Sequence, residues 1–175
     1  MRLPQTEYTL SMHTLKGSRF SWVWYTFSVC LAIAYVTVAF NFNSLYVNDI
    51  VFLLQLPVYV AVIILHEGIH IVWKIIFGYT GKMVRVRNGS TSIITFVVDQ
   101  PIKKWHFLAI VSSPFILLNI ATIPFLFTPY APYILLPMLL NNLGCHIDAK
   151  LTAVALLSNP KHVEVNNGTI RYVYT

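Results

Sequence analysis

Charged residues are the scarcest broad class in this 175-residue sequence and make up only 10% of it. A soluble domain usually carries about 25% charged residues, so the composition argues against one. Hydrophobic residues make up 57% of the chain, and the mean hydropathy is +0.66. These values predict a membrane protein, and the length fits one membrane domain that covers residues 1–175.

Cysteine is nearly absent as well. The only two cysteines, Cys30 and Cys145, lie far apart in apolar stretches and form no C-x-x-C pair. We therefore predict neither a disulfide framework nor a zinc knuckle. Acidic residues number only 6, which makes any search for carboxylate metal ligands short.

Four apolar stretches are long enough to cross a bilayer as helices, which takes about 20 residues. They cover residues 20–42, 51–77, 105–127 and 132–157. We therefore predict an all-α multi-pass membrane protein with four transmembrane helices. Segments 79–104 and 158–175 each hold an Asn-Gly step between runs that favour strands, which predicts two small β-hairpins. We expect these hairpins to form one small sheet.

Lysine and arginine are distributed unevenly among the connections between these stretches. They occur in residues 1–19, 79–104 and 158–175, whereas residues 43–50 and 128–131 have none. Because basic residues mark the cytoplasmic side, we expect both termini and the hairpin loop to be cytoplasmic, in a prokaryotic cell membrane. The same bias explains the net charge of +6 without a nucleic-acid partner.

The second apolar stretch contains the sequence His66-Glu67-Gly68-Ile69-His70, an H-E-x-x-H motif. Residues i and i+4 share one face of a helix, so both histidines can point at one Zn²⁺. Glu67 is then placed to act as the catalytic base. Ionisable groups inside a span are costly and usually functional, although a buried His pair in a hydrogen-bond network is the plainer alternative.

Asp148 is the best candidate for the third ligand that a catalytic zinc site requires. Apart from Glu67, it is the only acidic residue inside a predicted span. At about 1.5 Å of rise per residue, His66 and Asp148 both lie about 22–24 Å from the outer ends of their spans. We therefore predict one Zn²⁺ per chain, held by His66, His70 and Asp148.

Other polar residues of the third and fourth stretches leave alternatives open. Cys145 shares the helix face of Asp148 and competes with it as a ligand, whereas His146 points about 200° away. Asn119 and Asn142 are candidates to bind substrate or an oxyanion. They are equally well explained as hydrogen-bonding residues between packed helices.

The chain resembles the intramembrane metalloproteases of the site-2 protease type, and more narrowly the small zincin membrane peptidases related to them. The resemblance is carried by the H-E-x-x-H motif, by Asp148, and by Pro114 and Asn119 on the span between. It implies a three-helix catalytic core at residues 51–157, with segment 83–98 as a strand that aligns substrate. The sequence departs from the family pattern at Ile147-Asp148-Ala149, where Asp-Gly is common.

The resemblance implies a zinc-dependent endopeptidase, and from the distribution of basic residues we expect its site to lie near the cytoplasmic side of the bilayer. Its expected partners are a membrane protein or peptide substrate and the surrounding lipid. The alternative is a non-catalytic or metal-transporting membrane protein that uses the same His/Asp site. Transport would need a polar path, and residues 51–65 offer only Gln55.

Overall fold

The structure is a computed structural model that describes residues 6–11, 19–42, 49–88, 91–166 and 169–174. Residues 43–48 of the predicted connection 43–50, most of the N-terminal segment and the turn residues 89–90 and 167–168 lie outside these ranges. The α-helices are α1 (Arg19–Phe42), α2 (Asp49–Ile76), α3 (Lys104–Thr122), α4 (Ala131–Gly144) and α5 (His146–Ser158), and a 3₁₀ turn (Ile123–Phe127) follows α3. The strands are β1 (Thr6–Ser11), β2 (Gly81–Asn88), β3 (Thr91–Val98), β4 (Ile102–Lys103), β5 (His162–Asn166) and β6 (Thr169–Tyr174).

Three helical segments are long and apolar enough to cross a membrane: Phe20–Asn41, Leu53–Ile76 and Lys104–Phe127. Many of their large apolar side chains are exposed, such as Trp22, Leu56 and Ile120. Exposed apolar surface on this scale is typical of a face that meets lipid or another protein. The first three predicted spans are thereby confirmed as helices suited to a bilayer.

The fourth predicted span is not one continuous helix. Residues 132–157 fall in α4 and α5, which have 14 and 13 residues and are each too short to cross alone. The helix ends at Gly144, a residue with weak helix propensity, and Cys145 has φ −67° and ψ 3°. The chain still turns helically there, because Ala149 N–H donates to the Cys145 carbonyl at 2.9 Å. A fourth transmembrane helix is therefore not found among the described residues.

The strands form two separate sheets, so the prediction that both hairpins form one sheet was wrong, whereas the mostly helical fold with small hairpins is confirmed. Strands β2 and β3 form a two-stranded hairpin, and the second sheet has the antiparallel order β1-β6-β5-β4. Both predicted hairpins are present, with Asn88 opposite Thr91 and Asn166 opposite Thr169. Strand β1 lies in the N-terminal segment, where we had predicted no strand.

A buried cluster joins the four-stranded sheet to the helices. Ile102, Val163 and Tyr172 from the strands are at most 2% exposed, and they pack in one cluster with Phe107 of α3 and Leu151 of α5. The Tyr172 hydroxyl donates to the Leu151 carbonyl at 3.4 Å, and burial raises the pKa of this phenol. The cluster anchors α3 and α5 to the sheet, next to the site described below.

Helix α2 ends in a Schellman motif at Gly78, which has φ +71°. Gly78 N–H donates to the Ile75 carbonyl and Tyr79 N–H to the Lys74 carbonyl, both at 2.9 Å. Glycine accepts this left-handed conformation without the steric cost of a Cβ atom. The motif turns the chain from α2 directly into the β2–β3 hairpin.

Candidate metal centre

His66 and His70 project from the same face of α2, as their i, i+4 spacing predicts. Because helix α2 is continuous from Asp49 to Ile76, residues four apart in the sequence lie next to each other on its surface. The Nε2 atoms of the two imidazoles lie 3.2 Å apart. The two rings are close to perpendicular, at 78°.

Asp148 brings a carboxylate oxygen to the same point from another helix. Its Oδ2 atom lies 3.2 Å from Nε2 of His66 and 3.7 Å from Nε2 of His70. Because the chain breaks at Cys145, Asp148 sits in the first turn of α5, where the helix dipole favours a negative charge. The side chains of His66, His70 and Asp148 are only 12%, 13% and 22% exposed.

The two remaining imidazole nitrogens are held by acceptors outside this triangle. Nδ1 of His70 lies 2.7 Å from the carbonyl oxygen of Ile110 in α3. A carbonyl can only accept, so Nδ1 carries the proton and Nε2 of the neutral ring keeps a lone pair. This lone pair is directed at Asp148 and His66. A ring with its proton on Nδ1 is the tautomer that can bind a metal through Nε2.

Asn141 orients His66 in the same way. Nδ1 of His66 lies 3.1 Å from Oδ1 of Asn141, and the amide nitrogen of Asn141 lies 3.8 Å from the Cys145 sulfur. Nδ1–H therefore donates to Asn141, and Nε2 is again left with a lone pair. We had not predicted a role for Asn141. The sequence showed an amide side chain in a span that we expected to lie beside the H-E-x-x-H motif. It gave no reason to choose Asn141 over Asn142.

Cys145 lies beside the site, but its sulfur faces a different nitrogen of His66 from the one that faces Asp148. Donor atoms of His66, Cys145 and Asp148 all lie within 4.8 Å of one another, so these three also form a candidate metal group. However, the Cys145 sulfur is 3.7 Å from Nδ1 of His66, whereas Asp148 faces Nε2. The set with His70 has the shorter distances between its ligand atoms, at most 3.7 Å.

The triangle of His66 Nε2, His70 Nε2 and Asp148 Oδ2 can be compared with zinc geometry. Zn–N and Zn–O bonds of about 2.0–2.1 Å in a tetrahedron place ligand atoms about 3.3–3.4 Å apart. The three observed separations are 3.2, 3.2 and 3.7 Å. Two imidazoles and one carboxylate are also a donor set used by catalytic zinc. The residues present therefore fit a zinc ion.

Glu67 follows His66 directly in the helix and is exposed. One residue corresponds to about 100° around a helix, so its carboxylate leaves the helix beside the face that carries the histidines. His146, in contrast, packs its ring against Tyr25 of α1, with a centroid distance of 5.6 Å.

Asn119 and Asn142 bind each other. Asn119 Nδ2 donates to Asn142 Oδ1 at 2.9 Å and to the Phe115 carbonyl at 2.7 Å, and Asn142 Nδ2 donates to Asn119 Oδ1 at 3.1 Å. Helix α1 joins the pair, because Tyr35 donates to Asn119 Oδ1 and Trp24 donates to the Asn142 carbonyl. These contacts tie α1, α3 and α4 together. In this arrangement both N–H groups of Asn119 are used, and a role toward substrate stays a prediction.

Comparison with known proteins adds a family. Residues 59–163, more than half of the chain, match the family described as "Putative zincin peptidase". The matched region begins in α2, contains the H-E-x-x-H motif and Asp148, and ends in β5. Neither the curated proteins nor the solved structures contain a match. With a family match over this region and a zinc-compatible cluster inside it, the chain belongs to this zincin peptidase family.

Proposed function

We propose that the protein is a zinc-dependent intramembrane endopeptidase of the site-2 protease type. In this proposal His66, His70 and Asp148 hold the Zn²⁺, and Glu67 is the catalytic base. The substrates are membrane proteins or membrane-associated peptides. The observation that carries the proposal is the convergence of Nε2, Nε2 and Oδ2 within 3.7 Å, inside a region that matches a peptidase family.

The hydrolysis follows from general acid–base chemistry. Bound zinc would supply Lewis acidity, which acidifies water and polarises a peptide carbonyl. Glu67 accepts the proton of the attacking water and later delivers it to the leaving amine. His66 and His70 stay fixed during these steps, because Asn141 and the Ile110 carbonyl hold their outer nitrogens. A substrate must be extended at the site, since the carbonyls of a helix are occupied by internal hydrogen bonds.

The site lies in the half of α2 that leads into the strands. His66 is ten residues before the end of the helix at Ile76, or about 15 Å at 1.5 Å per residue. The basic residues of segments 79–104 and 158–175 lie at the same side of the helices as this end of α2. Their position supports a cytoplasmic location for the strands and both termini. We infer that cleavage occurs near the cytoplasmic surface, where water has the shorter path.

The decisive experiment compares Glu67→Gln with the wild-type protein on a single-pass membrane substrate in proteoliposomes. We expect one Zn²⁺ per chain in both proteins and a loss of cleavage of about 10²-fold or more in the variant, because the base is missing. Glu164→Gln is the matched control, since Glu164 forms an exposed ion pair with Arg171 at 3.8 Å.

The same experiment separates the peptidase from the metal-transporting or non-catalytic alternative. A wild-type protein that binds zinc and moves it across the vesicle membrane without cleaving any peptide would support transport. Equal cleavage by wild type and Glu67→Gln would contradict the assigned base.

A further inference from the structure

Pro114 lies inside α3, one turn after Ile110. In a regular helix the N–H of residue 114 would donate to the carbonyl of residue 110. Proline has no N–H, so it removes this hydrogen bond. The carbonyl of Ile110 is therefore left without its normal helical donor, in a segment suited to a bilayer where no solvent replaces it.

The Ile110 carbonyl is the group that His70 contacts. It accepts the Nδ1 proton of His70 at 2.7 Å and a weaker hydrogen bond from Ser113 Oγ at 3.2 Å. Ile110 is 3% exposed, and Pro114 is fully buried. A buried carbonyl that lacks a donor is costly, so the loss of the backbone donor at Pro114 favours the histidine in this one orientation.

We propose that Pro114 is a positioning residue for the zinc site, and that it acts on His70 through the Ile110 carbonyl. The inference rests on the proposed function only for the identity of the metal ligand, and not on peptide cleavage. In this proposal the proline keeps the Ile110 carbonyl available as an acceptor for His70, a role that differs from kinking the helix. An N–H at position 114 would be a third donor to a carbonyl that already accepts from His70 and Ser113, so it would weaken the hydrogen bond to His70.

The proposal is tested with Pro114→Ala, which restores the N–H and keeps a small apolar side chain. We expect zinc affinity, measured by chelator competition in detergent, to fall roughly tenfold or more, as is typical when the partner of a ligand is lost. The melting temperature of the metal-free protein should stay the same or rise, since a helical hydrogen bond is regained. A merely structural proline would show the opposite result, with reduced stability and unchanged affinity.

Pro57→Ala is the matched control, because Pro57 also lies inside a spanning helix, the one that carries both histidines. Its substitution restores a hydrogen bond to the carbonyl of Leu53, which lies more than three turns from His66. Zinc affinity should be unchanged. Equal affinity of Pro114→Ala and wild type would overturn the proposal.

A measurement on the wild-type protein tests the proposal even if the variant does not fold. Nitrogen-15 NMR of labelled histidine in the metal-free protein should show the neutral His70 ring protonated at Nδ1. A ring protonated at Nε2 would overturn the proposal. Loss of the proposed peptidase function would appear separately, as wild-type protein that binds zinc tightly but cleaves nothing.

Discussion

The sulfur of Cys145 lies 3.7 Å from Nδ1 of His66, while the carboxylate of Asp148 lies 3.2 Å from Nε2 of the same ring. One imidazole therefore separates a thiol from a carboxylate. A metal ion on the Nε2 side would be bound by His66, His70 and Asp148, and one on the Nδ1 side would involve Cys145. The two arrangements make opposite predictions for substitution.

Cys145→Ser and His70→Ala distinguish these ligand sets. We expect Cys145→Ser to keep zinc affinity within a few fold, because the sulfur faces the nitrogen that donates to Asn141. His70→Ala removes one of the three proposed ligands, and affinity should fall on the order of 100-fold or more, beyond the 10–100-fold typical of outer partners. Chelator competition measures both. The reverse ranking would assign the metal to Cys145.

Asn141 and Asn142 are neighbours in sequence with different expected effects. Asn141→Ala removes the acceptor of His66 Nδ1, so zinc affinity should fall roughly tenfold. Asn142→Ala is the matched control, because its side chain binds Asn119 and not a histidine. If both variants lost zinc equally, the loss would reflect damage to α4 and not the orientation of His66.

Asn142→Ala should instead lower stability. The substitution removes both hydrogen bonds that the buried Asn119 side chain makes with Asn142, which costs about 1 kcal/mol in a membrane helix bundle. The free energy of unfolding in mixed detergent measures the change. A double-mutant cycle with Asn119→Ala isolates the pair, and an additive result would show that the two amides do not stabilise each other.

Gly78→Ala tests the end of α2. Because Gly78 has φ +71° and an added Cβ would meet nothing within 4 Å, the cost is confined to the backbone and should be about 1–2 kcal/mol. Gly68→Ala is the control: it also has open space around its Cβ position but lies in the helix interior, where alanine should be neutral or stabilising. Equal effects would show that the left-handed turn is not needed.

The sequence predicts those features that depend on local patterns. Apolar runs of sufficient length correspond to α1, α2 and α3, and the i, i+4 spacing of His66 and His70 gives their common face. The Asn-Gly steps correspond to both hairpins. The scarcity of acidic residues pointed to Asp148, whose carboxylate the structure brings to both histidines.

Features that depend on distant contacts were missed. Strand β1 forms only because β6, at the other end of the chain, offers a partner. No proline stands at the break at Cys145 to mark it in the sequence. Asn141 and the Ile110 carbonyl gain their roles from the packing of α2 against α3 and α4, which no local pattern encodes.

The break at Cys145 also bears on how the protein enters a bilayer. Helices of 14 and 13 residues are each shorter than the hydrocarbon layer, and the second has an ionisable carboxylate in its first turn. Helical segments of this kind insert poorly into a bilayer on their own, and they become stable when they pack against helices already in place. The contact of Asp148 with His66 and His70 therefore forms only once α5 has packed against α2, so the candidate zinc site is completed late in folding.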